Sequence, residues 1–231
     1  MGKRPKGIIV AIDGPAGVGK STVGRLVAVR LNYSFISTGR MYRALAWKAL
    51  NSGVDLENEA ALMKTALGTR WEFKAAGGPE PQLCVDGRIL GAEITDETVG
   101  KTSSAVSRFA AVRKFMCEMQ RAVGAEGGVV MEGRDIGTNV FPDAEVKIYL
   151  DASPQARARR RAMQLKGRGL AVDRAKILDF IMKRDRQDSE RKNNPLKKAD
   201  DGHYLDSTDL GIKQVVEKIV RLVKDRVEGR G

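Results

Sequence analysis

Residues 8–31 read IIVAIDGPAGVGKSTVGRLVAVRL. The apolar run ending at Asp13 and bounded by Gly7 and Gly14 predicts a buried strand, and Val23, Leu26, Val27 and Val29 recur at helical spacing between Gly19 and Leu31. Between strand and helix, Gly14-Pro15-Ala16-Gly17-Val18-Gly19-Lys20-Ser21 matches GxxxxGK[ST] in the context that pattern requires. Its glycines let backbone N–H groups converge on phosphate oxygens, and the helix turns its positive end toward the same point. Residues 14–22, through Thr22, therefore form a candidate phosphate-binding loop. Lys20 is placed to reach the β and γ phosphates of a nucleotide, and Ser21 to put its hydroxyl on Mg2+.

Outward from this unit, helices are expected over Met41–Asn51 and from about Glu57 to Leu67. WEFKA at 71–75, the turn-rich GGPEPQ at 77–82 and the apolar residues up to Leu90 predict two or three antiparallel strands within an insert of about 70–100. Thr95–Glu126 reads as mostly helical. GGVVMEG at 127–133 and the segment around 145–151 read as two more buried strands, and strands alternating with helices imply a parallel sheet. An arginine-dense helix over 153–166, a break at Gly167 and Gly169, a long helix from Val172 to Arg191, a strand at His203–Asp206 and an amphipathic helix over Ile212–Val227 complete the α/β pattern.

At 231 residues the chain suits one α/β domain with an inserted lobe, and 42% hydrophobic with 30% charged residues is the composition of a folded protein. No apolar run approaches the roughly 20 residues needed to cross a bilayer, and neither a signal peptide nor a membrane anchor is visible. Cys84, Cys117 and the single histidine, His203, have no metal-type spacing, so a reduced, cytoplasmic setting without a Cys/His metal cluster is expected. Lys and Arg outnumber Asp and Glu by 41 to 29, a net charge of +12 that calls for anionic partners, either phosphorylated small molecules or nucleic acid.

A phosphate loop alone does not separate kinases from switches or motors. A guanine-reading NKxD segment after a strand is absent, the nearest run being KKAD at 197–200 after a proline-marked loop. Three further segments, STGRMYRAL at 37–45, EGRDIGTNVFPDAEVKIYLDASPQARARRR at 132–161 and RDRQDSERKNNPLKKADDGHYLDST at 184–208, together with the loop resemble bacterial-type cytidylate kinases over nearly the whole chain. GRDIGT and RDRxDSxR are far more specific than the loop. The resemblance implies a P-loop kinase with a central parallel sheet flanked by helices. It implies one kinase domain over 1–231, with an acceptor-side insert at about 70–100 and a lid at about 153–170. The implied reaction is direct in-line phosphorylation of CMP and dCMP by ATP with Mg2+, in a cytoplasmic monomer without membrane or nucleic-acid partners.

Residue by residue, the same resemblance places Thr38, Tyr42 and Arg43 beside the monophosphate, with Arg43 on its phosphate. Taken alone these residues read as a helix start, Thr38 capping and Tyr42 in the core. Arg134 and Asp135 follow a strand, where open α/β sheets place ligands. The resemblance makes Arg134 a phosphate clamp and Asp135 the acceptor for the exocyclic amine of cytosine. Ser104 and Arg113 would complete the base contact, leaving UMP with unpaired polar groups; alone they read as an ordinary polar helix face.

Arg184, Asp188 and Arg191 share one helix face at i, i+4 and i+7. The resemblance sends the first two to the sugar and the third to the phosphate or base, against the plainer alternative of an exposed Arg184–Asp188 ion pair. Arg157, Arg160 and Arg161 lie in the lid, where arginines neutralise charge on a transferred phosphoryl group. Which of them does so is open, and ARARRR also reads as a polyanion-binding helix. The chain departs from the family pattern at Glu132, where many relatives carry Asp, at Arg40, which replaces a typically small residue, and at Thr38, which replaces a common Ser. Rival readings are a kinase for UMP, dTMP or a sugar acid, a protein that binds nucleotide without turnover, and a nucleotide-dependent RNA-binding module. With aromatics only 5% of the chain, stacking platforms for RNA are scarce.

Overall fold

The computed structural model describes residues 4–167 and 169–229. Strand β1 (Ile9–Asp13) is buried throughout and leads through the loop to helix α1 (Lys20–Leu31). There follow β2 (Ser34–Ser37), α2 (Thr38–Asn51), α3 (Glu59–Gly68), β3 (Trp71–Lys74), β4 (Gln82–Val85), β5 (Arg88–Ile89), α4 (Glu97–Val106), α5 (Ala110–Gly124), β6 (Val129–Gly133), β7 (Val146–Asp151), α6 (Pro154–Lys166), α7 (Arg174–Glu190), β8 (His203–Asp206) and α8 (Ile212–Val227). Five strands form a parallel sheet in the order β2-β6-β1-β7-β8. Their carboxyl ends all lie on one edge, and that edge carries the phosphate loop.

Both faces of the central strands are covered, which is why they read as continuous apolar runs. Val10, Ile12, Ile148 and Leu150 pack against Val27 of α1 and Val216, Ile219 and Val223 of α8. Ile9, Ala11 and Met131 face Cys117 of α5 together with Ile136 and Val140. A separate apolar cluster, with Met41, Leu45, Leu62, Leu83, Ile94 and Met116 at its centre, joins α2, α3, β4 and α5. The insert is a three-stranded antiparallel sheet, β3-β4-β5. The tip of its hairpin reaches back to the main sheet, where the Phe35 N–H donates to the Pro79 carbonyl at 2.7 Å and Arg25 pairs with Glu80 at 2.6 Å. Arg40, the departure from a small residue, donates to the Leu90 carbonyl at 3.0 Å and so ties α2 to the insert.

The structure adds features that periodicity did not signal. β2 is only four residues, of which Phe35 and Ile36 are buried, too short to display an alternation. Helix α2 begins at Thr38 rather than Met41, with Ser37 in the cap position. Ser37 does not cap, because its hydroxyl donates to Glu132 Oε1 at 2.5 Å instead. The expected helical stretch over 95–126 is split at Ser107–Phe109. After Asp135 the chain winds into a five-residue π turn, Ile136–Val140.

Candidate active site

The loop is shaped by contacts that only glycine permits. Gly14 has φ 152, and a Cβ there would stand 2.0 Å from the Leu150 carbonyl oxygen, a backbone atom that cannot rotate away. Gly14→Ala is therefore expected to abolish nucleotide binding by displacing the loop from β7, measurable as loss of ADP-induced thermal stabilisation. Gly19 precedes α1 in the left-handed region and offers no side chain to cap it, so the first-turn N–H groups of Lys20, Ser21 and Thr22 remain for an anion.

Lys20 is buried, and its ammonium group is folded back to donate to the carbonyls of Gly14 and Pro15, both at 2.8 Å. Burial, then the nearby Arg134 guanidinium, pushes its pKa down to about 7. Beside it the Ser21 hydroxyl donates to Glu132 Oε1 at 2.9 Å. These two hard oxygen donors at the mouth of the loop fit Mg2+, a cation that uses one or two protein oxygens, several waters and substrate phosphates. Glu132 thus reaches the Mg2+ hydroxyl candidate directly.

Across the strand ends lies a dense set of charges. Asp135 is buried and accepts from Arg113 at 2.7 Å, Asn139 at 3.0 Å and Arg191 at 3.3 Å. A carboxylate has about four acceptor positions, so one remains, on Oδ1, for a further donor. Asp188 takes Arg134 at 2.7 Å. That partner stands just past the end of β6 and replaces the exposed Arg184–Asp188 pair considered from spacing alone. Arg184 is left with its Nε buried and without a hydrogen-bond partner. Burial first, then Arg134 and Arg43, lowers its pKa to about 10. Arg43 donates to the carbonyls of Ile94 at 2.9 Å and Asp96 at 3.2 Å, and burial and Arg161 depress its pKa too. The arrangement is a half-enclosed group of guanidiniums short of negative charge.

Tyr42 lies under Arg113, whose guanidinium carbon is 5.9 Å from the ring centroid, and burial raises its pKa to about 12. Thr38 is the first residue of α2, and its hydroxyl donates to the Glu132 carbonyl at 2.9 Å, so it pins α2 to β6 rather than capping. Ser104 is half-buried on α4; among the described residues its hydroxyl takes no part in the hydrogen bonding around Asp135. On α6, Arg160 donates to the Val18 carbonyl at 3.3 Å, the Ser207 hydroxyl at 3.1 Å and the Ser207 carbonyl. Arg157 is turned to the loop backbone, and Arg161, bonded to Gln164 at 2.7 Å, stands near Arg43.

The sequence profile described as Cytidylate kinase matches residues 10–225. The chain belongs to the cytidylate kinase family. Among curated relatives, the cytidylate kinase of Geobacter sp. (strain M21) is 44% identical over 224 residues, covering 97% of this chain and 96% of that one. That of Geobacillus kaustophilus (strain HTA426) is 46% identical over 224 residues, covering 95% and 98%. Among solved structures, an uncharacterized protein from Eubacterium ventriosum superposes with a TM-score of 0.50 at 14% identity, covering 94% of this chain and 98% of that one. The last shares the fold, a parallel sheet flanked by helices. The cytidylate kinase family is one of phosphotransferases, so the chain is read as an enzyme.

Three residues in this member's site escaped the sequence reading of site residues. Asp13 ends β1 and accepts from the N–H groups of Ile136 and Gly137, both at 2.8 Å, locking the π turn behind Asp135. Burial nevertheless raises its pKa to about 6. Asn139 donates to Asp135, and Asp185 reaches the phosphate loop. A carboxylate inside the otherwise apolar IVAID was a usable signal for Asp13; Asn139 and Asp185 are identified only by what lies across from them.

Proposed function

We propose that the protein transfers the γ-phosphate of ATP directly to CMP or dCMP, as a cytoplasmic monomer with no membrane or nucleic-acid partner. The observation that carries this reading is the half-buried Arg184, crowded by Arg134 and Arg43 with its buried Nε unpaired, opposite a phosphate loop on the same sheet edge. Such a group is stable only where an anion arrives to complete it. In this reading the whole chain is one kinase domain, the insert at about 70–100 borders the acceptor, and α6 with the start of the connection to α7 forms the lid.

The loop amides and the first turn of α1 hold the ATP phosphates, and Lys20 leaves its two carbonyls to bind the β and γ oxygens. Ser21 and Glu132 would hold Mg2+, which would supply charge neutralisation at the ATP phosphates. Arg43, Arg134 and Arg184 clamp the acceptor phosphate, Asp188 orients Arg134 and receives the sugar, and Tyr42 with Thr38 closes that side. Asp135 accepts the cytosine amine, with Arg113, Arg191 and Ser104 donating toward the ring N3 and O2. Uracil presents the opposite polarity at C4 and N3 and leaves buried groups unpaired. Arg160 and Arg161 complete the charge around the transferred group as the lid closes and water is excluded.

An ADP-release assay with Mg·ATP and a panel of CMP, dCMP, UMP, AMP, GMP and dTMP tests the assignment. CMP and dCMP should exceed UMP in kcat/KM by about 100-fold or more, the discrimination expected of a site that pairs a substrate's polar groups. Equal turnover of UMP would show the base reading to be wrong.

Lys20 yields a pH prediction. Its folded pKa of about 7 lies below the unfolded 10.5, so across that window the unfolded chain holds a proton the folded one lacks; this lysine's contribution to stability rises with pH there. Phosphate oxygens restore the proton. Mg·ADP binding at pH 8 should therefore take up protons, and affinity should fall as pH rises above 7. Calorimetry in buffers of different ionisation enthalpy reads the uptake directly, and its absence would contradict the switch of Lys20 from carbonyls to phosphate.

A further inference from the structure

Ala16 lies in the phosphate loop between Pro15, which has no N–H, and Gly17, which sits at φ 74. Its own peptide groups are taken by side chains from distant helices. The Ala16 N–H donates to Asp185 Oδ1 at 3.2 Å, and its carbonyl accepts from Arg157 Nη1 at 3.0 Å. The same Arg157 nitrogen donates to Asp185 Oδ2 at 2.5 Å, while Nε donates to the Ala152 carbonyl at 2.8 Å. Arg157 is 4% exposed, and its Cβ and Ile181 Cδ1 would each lie 3.7 Å from a Cβ at Gly17, so α6 and α7 pack straight onto the loop.

We infer that Asp185 and Arg157 act as one positioning unit, gripping both polar groups of Ala16 and so coupling α6 and α7 to the shape of the nucleotide site. The inference rests on the reading that this loop binds ATP. It also reassigns Arg157. To close on a phosphate its guanidinium would have to abandon Ala152, Ala16 and Asp185 and leave a part-buried carboxylate uncompensated. Arg157 thus acts through the loop and not on the transferred group.

Calorimetric titration with Mg·ADP, which lacks that group, separates the two roles. Asp185→Ala and Arg157→Ala should each weaken Mg·ADP by about 10- to 100-fold, the range for losing a charge-assisted hydrogen bond. For Arg157→Ala, CMP affinity, read at a separate site, should change by no more than about 2-fold; Asp185→Ala is read by Mg·ADP alone, because Asp185 also lies in the field of Arg134 and Arg184. Arg157→Lys, which keeps the charge but not the fork, should restore ADP binding only in part. If Arg157→Ala binds Mg·ADP like the wild type and loses turnover alone, Arg157 works on the phosphoryl group and the inference fails. If the wild type does not bind Mg·ADP, the nucleotide reading itself fails, a different result. Hydrogen exchange of the Ala16 amide in the nucleotide-free wild type is a check independent of variant folding: protection supports the grip, and exchange at the unprotected rate overturns it.

Discussion

Replacing Arg184 by Met should lower turnover of CMP by about 100- to 1,000-fold, the cost of removing one preorganised donor from developing charge, while leaving the nucleotide-free protein as stable as the wild type or more so. The two effects have one cause. Arg184 is depressed to about pKa 10 by burial and by Arg134 and Arg43, so in the absence of an anion its charge is a liability. Its Nε has no partner to lose. Methionine keeps much of the stem's volume and removes the repulsion. With a monophosphate bound, the same guanidinium is the group that neutralises it. Thermal melting with and without CMP, beside steady-state kinetics, checks both halves: the wild type should gain more from CMP than the variant does. A variant that melts well below the wild type yet keeps its turnover would mean that Arg184 is a structural residue.

Asp135→Ala should be among the most destabilising single changes in the site, at about 3–5 kcal/mol, because it leaves buried Arg113 without its ion-pair partner and Arg191 with only the longer contact to Asp188 at 3.8 Å. Loss of activity in that variant would therefore say little about the base. Asp135→Asn keeps the shape and one acceptor oxygen and introduces an amide that clashes in polarity with the cytosine amine. It should narrow the CMP-to-UMP ratio of kcat/KM by about 10- to 100-fold, the 1–3 kcal/mol of discrimination carried by a good polar pair. Urea unfolding of both variants with the acceptor panel on Asp135→Asn separates the roles. A folded Asp135→Asn with the wild-type ratio would place base recognition elsewhere.

Much of the framework was readable before any coordinates. The strand–loop–helix around Lys20, the parallel α/β alternation, the antiparallel insert and the strand at His203–Asp206 all follow from patterns local to the chain. The spacing of Arg184, Asp188 and Arg191 put them on one face, and the structure does gather them, although Arg191 stands just past the helix end. β2 was not readable, because SFIS is short and runs directly into a helix. The π turn was not readable either, since its stabilisation comes from Asp13, more than a hundred residues away.

The chain's own order was enough for the elements, the phosphate loop and the stock of charged residues, because helix, strand and turn propensities depend on neighbours a few positions away. Which charge meets which was decided by the tertiary structure alone. β6 runs between β2 and β1, and that sets Glu132 beside Ser37 and Ser21, and Asp135 next to the turn held by Asp13. Helices α6 and α7 pack onto the loop, and that commits Arg157 to Ala16 and Asp185. Sequence counts an arginine as a charge; its partner, its burial and so its role depend on long-range packing, which local periodicity does not encode.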